Sequence, residues 1–365
     1  MFRKPFHAAL PLIAAALAAA GPVLGDPGAH VTLSGTMQSS GSVTKQFTVH
    51  VPPGIRELTV NLPVPSSVDE NGWRQSVTAC VTTSSSAPTR QVDEVDAVGN
   101  RYRVIKFYKP QPEDIRITQR LVGVTTQASL DNPLPSAAFP LTTTSDAAAP
   151  YLKSSRLAES DDPAIFNLAI FLTRDLATEA EAVARIARWT FNHIDYAEGN
   201  YIPEVDASST LQNRCAQCRG YANLFIALAR AAGIPARMVT GYTLSGSMNV
   251  PLSSDGLSHL SMDSPSSPHA WVEIWYPGAG WTPYDPQASA GFIDSHHIEY
   301  SVCGAADTER PIIEWDATDR ACGRVQFQED NATGDLSDTI SLHYVDQGGG
   351  EVSGHVLLER QSPEE

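Results

Sequence analysis

Cys218 stands at the start of a predicted helix in this sequence of 365 residues, and a cysteine in that position can act as a nucleophile. Gly233 and Pro235 end the helical pattern. A thiol at a helix N-terminus faces unpaired backbone N–H groups and the positive end of the helix dipole, which both favour the thiolate. The same N–H groups can stabilise an oxyanion on a carbonyl under attack. The position therefore suits acyl transfer, whereas an isolated cysteine there is more often a small buried apolar residue.

A cysteine nucleophile needs a base, and His269 opens a predicted strand over residues 269–276. Asp285 follows a second predicted strand, 281–284, and a Pro-Gly-Ala-Gly turn joins the two strands. The midpoint of positions 269 and 285 lies inside this turn, so an antiparallel hairpin brings the two side chains roughly opposite each other. A carboxylate there can hold the imidazole in one orientation. The three residues together predict a Cys218–His269–Asp285 triad.

Cys215 gives the same segment a second interpretation, because Cys215-Ala-Gln-Cys218 at a helix start is also the pattern of a thiol–disulfide oxidoreductase. The sequence before it lacks the β-α-β pattern of such enzymes, and this interpretation leaves His269 and Asp285 unexplained. A zinc site is disfavoured because the chain has no second Cys-x-x-Cys and no His-rich ligand spacing. The sequence thus predicts no metal-binding or cofactor-binding residues.

Two helices with N-terminal signals are predicted before the nucleophile. Asp162 can cap a helix that has Pro163 at its first position, and Thr178 with Glu181 forms a capping box for the next helix. After the nucleophile the pattern changes to strands, over 236–243, 269–276 and 281–284. The loop 244–268 is rich in Ser, Pro and Gly, and we expect it to border the cleft and influence substrate choice.

The N-terminal third of the chain has the alternating pattern of short strands separated by Pro, Gly and Ser clusters, which is typical of a β-sandwich. The next segment is rich in Pro and Thr, and we expect an exposed linker that leaves two separable domains. The predicted organisation is a signal peptide (1–25), a β-sandwich domain (26–130), a linker (131–150), an α+β catalytic domain (151–300) and a C-terminal β-rich extension (301–365).

Three motifs resemble the signature of the transglutaminase-like superfamily. They are CRGYANLFIALARAAGIPARMVTGY from Cys218, HAWVE from His269, and Trp281 followed by Asp285 and Pro286. The resemblance covers about residues 150–290. It implies a papain-like α+β core, in which the helix carrying the nucleophilic cysteine packs on an antiparallel sheet.

The resemblance implies that Cys218 attacks an amide carbonyl, that His269 moves the protons and that Asp285 orients His269. The resulting thioester is resolved by water or by an amine. The expected function is acyl transfer or hydrolysis at amide bonds of peptide or protein substrates, and the triad does not separate hydrolysis from cross-linking. Relatives usually have Gly where this chain has Ala216, and Cys215 is a further departure. A catalytically silent binding or assembly module with the same fold is the alternative function.

Residues 1–25 have the features of a secretory signal peptide: Arg3 and Lys4 precede an apolar run, and small residues follow it. An uncleaved anchor is the alternative, which the shortness of the run disfavours. No later run is long enough to span a membrane, so we expect a secreted or periplasmic protein with no integral membrane segment after cleavage. Removal of residues 1–25 changes the net charge from −16 to −18. So acidic a chain disfavours nucleic acid as a partner.

Export favours disulfides, and an odd number of cysteines leaves at least one thiol unpaired. The five cysteines are Cys80, Cys215, Cys218, Cys303 and Cys322. Cys303 and Cys322 lie close together outside the motifs and are the expected disulfide pair. For Cys215 three states remain open: a disulfide with Cys218, a disulfide with another cysteine such as Cys80, or a buried thiol.

Overall fold

The computed structural model describes residues 30–135, 137–197, 205–251, 259–264, 266–317, 323–330, 332–344 and 356–361. The predicted signal peptide and Cys322 lie outside the described residues. The fold is α+β, as the sequence predicted. Among the described residues, no helix combines the length and the apolar character needed to cross a membrane.

Strands make up most of the ordered structure. In chain order they are β1 (His30–His50), β2 (Ile55–Pro63), β3 (Val68–Glu70), β4 (Trp73–Ser84), β5 (Arg90–Val95), β6 (Arg101–Tyr108), β7 (Asp114–Ser129), β8 (Asp195–Tyr196), β9 (Cys215–Ala216), β10 (Ala236–Thr243), β11 (Gly246–Pro251), β12 (His259–Ser264), β13 (Ser267–Tyr276), β14 (Gly280–Tyr284), β15 (Ser289–Ala290), β16 (His297–Val302), β17 (Ile313–Ala317), β18 (Gln326–Glu329), β19 (Thr333–Tyr344) and β20 (Leu357–Arg360). The helices are α1 (Pro163–Thr173), α2 (Glu179–His193), α3 (Ala207–Asn213) and α4 (Cys218–Ala231), with a 3₁₀ turn at Ala149–Leu152.

The predicted helix boundaries are observed. The side chain of Asp162 accepts hydrogen bonds at the start of α1, and Thr178 and Glu181 form the capping box of α2. α4 begins at Cys218, and Gly233 follows its end with a φ of +81°, a conformation that favours glycine. Local signals therefore determine where the helix that begins at Cys218 starts and ends.

The N-terminal strands form a sandwich of two sheets. β1, β7, β4 and β3 are neighbours in the larger sheet, and β2, β6 and β5 form the smaller sheet. Phe47, Val49 and Ile117 of the larger sheet pack in one core with Leu58 and Ile105 of the smaller sheet. This apolar contact between facing sheets is the predicted sandwich arrangement.

The strands of the predicted C-terminal β-rich extension (301–365) pair with the strands of this sandwich. β19 and β18 pair antiparallel with β1, and β20 pairs parallel with its first residues. β17 joins the smaller sheet beside β2. β1 is 21 residues long, and its exposed edge would leave a row of backbone groups unpaired without these partners.

The predicted catalytic domain contains a four-stranded sheet in the order β14–β13–β10–β16. One face packs on α4, where Val272 and Ile274 share a core with Phe225. The opposite face packs on the N-terminal sheet, where Trp271 shares a core with Trp73. This four-stranded sheet is therefore held between the helices and the β-sandwich.

Residues 131–150 differ from the exposed linker that was predicted. Phe139 N–H donates to the carbonyl of Ala177 at 2.9 Å, and Glu179 N–H donates to the carbonyl of Ala137 at 2.8 Å. Leu134 is buried in the core that contains α4. Residues 141–147 remain at least partly exposed. The first part of this segment is therefore attached to neighbouring elements, whereas residues 141–147 are accessible to solvent.

The predicted loop 244–268 also differs from the structure, because it contains an antiparallel hairpin formed by β11 and β12.

Candidate active site

α4 presents Cys218 at its first turn, with the side chain partly buried. The carbonyl of Gln217 accepts hydrogen bonds from the N–H groups of Gly220 and Tyr221 at 2.9 and 3.1 Å. The N–H groups of Cys218 and Arg219 precede this ladder and are not used within the helix. They are therefore available to an anion beside the sulfur.

Buried polar contacts fix the position of α4. The hydroxyl of Tyr221 donates to the carbonyl of Ile194 next to α2. At the other end of the helix, Arg230 Nε donates to the carbonyl of Ala236 at 3.0 Å, at the start of β10. The helix that carries Cys218 is thus held by contacts with both neighbouring elements.

β13 shows the alternation predicted from its sequence. Ala270 and Val272 face the core around α4, whereas Trp271 faces the β-sandwich. His269 lies opposite Gly241 of β10. A Cβ at Gly241 would meet the ring of Trp271 and the carbonyl of Ile298, so this close approach requires glycine.

Asp285 approaches His269 from the loop after β14. Its Oδ2 lies 3.0 Å from His269 Nε2, and its Oδ1 accepts from the backbone N–H of Gln287 at 3.1 Å. Tyr276 pairs with Gly280, so the hairpin centres on position 278, one residue later than predicted. Asp285 therefore lies diagonal to His269 rather than directly opposite it, and the side chains still meet.

Two of the three predicted site residues, Cys218 and His269, have pKa values shifted by their neighbours in the site. Burial raises the pKa of Cys218, but the hydrogen bond and charge of His269 and the backbone N–H of Ala270 lower that pKa below its ordinary value overall. Burial lowers the pKa of His269, but the charge and hydrogen bond of Asp285, with the contact to Cys218, raise it to about 10. Because Asp285 engages Nε2, Nδ1 is the ring nitrogen left for the thiol.

His297 and Asp294 also belong to this site, and the sequence interpretation missed them. His297 Nε2 lies 3.6 Å from Asp285 Oδ2, and His297 Nδ1 lies 2.7 Å from Asp294 Oδ1. Burial raises the pKa of Asp285, but the charges of His269 and His297, with the hydrogen bond of His269, hold it well below its usual range. The spacing of Asp294 and His297 in an Asp-Ser-His-His run was the available signal.

An ion cluster lies behind the site and joins it to the β-sandwich. Arg237 Nε donates to Glu273 at 2.5 Å, and Arg237 Nη2 donates to Glu70 of β3 at 3.3 Å. Burial and the neighbouring Glu273 raise the pKa of Glu299 to about 8. The guanidinium also lies 4.1 Å over the ring of Trp281. Glu273, which is fully buried here, thus has a structural role.

The four cysteines in the described part of the chain are all thiols: Cys80, Cys215, Cys218 and Cys303. Cys215 lies in β9 and is partly buried. Cys303 donates to Glu309 Oε1 at 3.0 Å, and burial raises the pKa of Cys303 well above its ordinary value. Its predicted partner, Cys322, is outside the described residues, so that disulfide stays a prediction.

Residues 167–286 match the transglutaminase-like superfamily, and the match contains Cys218, His269 and Asp285. The segment is a transglutaminase-like core. Enzymes of this superfamily are cysteine proteases or acyltransferases; the superfamily is typically enzymatic, and many of its members are inactive.

Two curated relatives are similar to about a third of this chain. A protein-glutamine gamma-glutamyltransferase of Pseudomonas aeruginosa is 34% identical over 117 residues, which are 31% of this chain and 16% of that protein. The uncharacterised protein YebA of Bacillus subtilis is 28% identical over 137 residues, or 36% of this chain and 18% of that protein. The chain thus matches less than a fifth of the length of either relative.

A solved structure matches a much larger part of the fold. A candidate cysteine protease from Cytophaga hutchinsonii superposes with a TM-score of 0.58 at 17% identity and covers 86% of this chain and 99% of that one. This likeness extends over the transglutaminase-like core and the β-rich parts, and it concerns the fold alone.

Proposed function

We propose that the protein is a cysteine-dependent enzyme that hydrolyses or transfers acyl groups at amide bonds of peptides or proteins. Cys218 is the proposed nucleophile, His269 the acid and base, and Asp285 the residue that orients His269. The observation that carries the proposal is the position of His269, whose ring lies between the thiol of Cys218 and the carboxylate of Asp285. A thiolate paired with an imidazolium is the reactive state of a cysteine nucleophile.

The proposed reaction has two halves. The Cys218 thiolate attacks the carbonyl carbon, and the backbone N–H at the start of α4 donates to the resulting oxyanion. The imidazolium of His269 then gives its proton to the leaving amine, and a thioester remains. In the second half, neutral His269 takes a proton from water or from an acceptor amine, which attacks the thioester and releases Cys218.

Peptide or protein amides are the proposed substrates, and no cofactor is required by this chemistry. We further propose that the mature protein acts outside the cytoplasm, because residues 1–25 combine a basic start, an apolar run and small residues. The acidic chain, with a net charge of −16, supports a protein or peptide partner over nucleic acid.

Mass spectrometry of a glutamine-containing peptide pool incubated with the purified protein tests the proposal, with and without a primary amine. Deamidation, peptide cleavage and amine incorporation each give a distinct mass change. We expect at least one of these products with the wild-type protein and none with Cys218→Ala. A folded wild-type protein that leaves the pool unchanged under reducing conditions would support the silent binding module instead.

A further inference from the structure

His297 is a second histidine at the carboxylate of Asp285. The ring is buried at the start of β16, with its Nε2 directed to Asp285 and its Nδ1 directed to Asp294. The centroid of this ring lies 5.5 Å from the centroid of the His269 ring. Trp271 packs against it edge to face, at 5.2 Å and 89°. Both nitrogens of this buried ring therefore face carboxylates, and the ring packs against Trp271.

The geometry favours the imidazolium form of this ring. Nδ1 lies at hydrogen-bond distance from Asp294, 2.7 Å, and a carboxylate only accepts hydrogen bonds, so this nitrogen carries a proton. Nε2 lies 3.6 Å from Asp285, an ion-pair contact rather than a hydrogen bond, and the charge of that carboxylate favours a second proton there. A neutral His297 would direct a nitrogen lone pair at Asp285 or at Asp294. The imidazolium satisfies both neighbours. The site is then a row of alternating charges: thiolate, imidazolium, carboxylate, imidazolium, carboxylate.

We infer that His297 is a positioning residue: its imidazolium, held by Asp294, shares the carboxylate of Asp285 with His269 and weakens the stabilisation that this carboxylate gives to the His269 imidazolium. This inference rests on the proposed function, in which His269 must give the proton on its other ring nitrogen, Nδ1, to a leaving amine. A general acid works best when it holds its proton no more tightly than the reaction requires. The nearby positive charge opposes the stabilising effect of Asp285.

The distance sets the size of the effect. Two unit charges 5.5 Å apart, at an effective dielectric constant of about 20, shift a pKa by roughly two pH units. The titratable groups that face His297 are Asp294 on the preceding loop, Asp285 after β14 and His269 on β13. If Asp294 takes up a proton when His297 is replaced, the shift is smaller. Loss of the His297 charge should therefore raise the pKa of His269 by about one to two pH units.

The test is an NMR titration of the histidine rings in the full chain labelled with ¹⁵N-histidine. The His269 signals are assigned by their loss in His269→Gln. We expect the pKa of His269 to rise in His297→Gln. His296→Gln is the matched control, because His296 is equally buried but contacts Asp338 at 3.1 Å, and it should leave the pKa of His269 unchanged.

His297→Asn provides a second variant if His297→Gln does not fold. It also removes the charged ring and keeps Asp294 and Asp285, so we expect a rise in the pKa of His269 of the same size. An unchanged pKa in a folded variant overturns the inference. A lowered pKa also overturns it, because His297 would then serve to hold Asp285 toward His269. If the peptide assay fails but the pKa of His269 rises in the variant, the proposed function is overturned. The electrostatic coupling between His297 and His269 is then still supported.

Discussion

The backbone N–H of Leu358 donates to the carbonyl of Ala288 at 3.0 Å, three residues after Asp285. Ser289 and Ala290 pair with β20, and β20 pairs with the first residues of β1. The loop that carries the proposed orienting carboxylate is therefore attached to strands from both ends of the described chain. The β-sandwich and the catalytic domain are joined by backbone pairing as well as by side-chain packing.

This attachment predicts the result of limited proteolysis. We expect cleavage within residues 141–147, which are the exposed part of the segment predicted as a linker. The two fragments should remain together on size-exclusion chromatography, because strand pairing and the core around Trp271 and Trp73 connect them. Fragments that separate without denaturant would contradict this view and restore the independent domains predicted from the sequence.

Cys218→Ser should abolish turnover while the fold is retained. The hydroxyl has nearly the shape of the thiol, but it does not ionise beside His269 as a thiol does. We expect turnover to fall by at least about 10³-fold, with a thermal midpoint within a few degrees of wild type. Cys215→Ser is the matched control under reducing conditions. Unchanged turnover in Cys218→Ser would remove the enzyme proposal at this site.

Asp285→Asn should reduce turnover without abolishing it. The amide keeps the shape of the carboxylate but lacks the charge that stabilises the His269 imidazolium. The pKa of His269 should fall from about 10, and the pKa of Cys218 should rise in return. We expect a loss of turnover on the order of 10²–10⁴-fold. The rate of iodoacetamide labelling of Cys218 against pH measures the thiol directly; an unshifted profile would show that Asp285 does not act through His269.

The sequence predicted the local structure around the triad because local signals determine it. The cap of α2 and the glycine after α4 act within a few residues, and the strand alternation around His269 separates two faces that are buried in different cores. The register of the β13–β14 hairpin was wrong by one residue, since a Pro-Gly-Ala-Gly turn allows more than one closing pair.

Long-range pairing could not be read from the sequence. The contact of β19 with β1 joins segments some 300 residues apart, and either strand has an ordinary pattern when read alone. His297 was missed for a similar reason. Its role depends on reaching Asp285 from β16 across the sheet, whereas its sequence neighbourhood shows only Asp294 and a second histidine.

Glu179 predicts a pH dependence of stability that is separate from catalysis. Its side chain is fully buried and, among the described residues, neither carboxylate oxygen has a hydrogen-bond partner. Burial raises its pKa from 4.5 to about 8. The native state thus keeps a proton that the unfolded state releases, so stability falls as pH rises from about 4.5 to 8. The cost at pH 7 is on the order of 3 kcal/mol.

Glu179→Gln should remove this part of the pH dependence. Thermal unfolding at pH 5 and pH 8 measures this pH dependence. From pH 5 to pH 8, Glu179→Gln should lose less stability than the wild-type protein does. Glu181→Gln is the matched control, because Glu181 is a capping residue near the surface whose pKa is lowered by its bonds to Thr178. Equal pH dependence in Glu179→Gln and wild type would mean that water or another group satisfies Glu179.

Cys215 predicts a redox response of the proposed nucleophile. It lies three residues before Cys218, and both are thiols in the structure. A thiol with a lowered pKa is oxidised first, and a neighbouring thiol can then displace the sulfenic oxygen as water. Hydrogen peroxide would accept the two electrons. We expect mild oxidation to form a Cys215–Cys218 disulfide and to stop turnover until dithiothreitol restores both thiols.

Peptide mapping without reduction, after brief treatment with hydrogen peroxide, decides this prediction. The expected product is one peptide pair, or one peptide, that carries the Cys215–Cys218 disulfide, with full recovery of turnover on reduction. In Cys215→Ser no such disulfide can form, so longer oxidation should inactivate the protein irreversibly as Cys218 passes to the sulfinic acid. A Cys218 that is still alkylated by iodoacetamide in the oxidised wild-type protein would rule out the disulfide. A Cys215–Cys80 disulfide in the same map would instead assign Cys215 a structural role before α4.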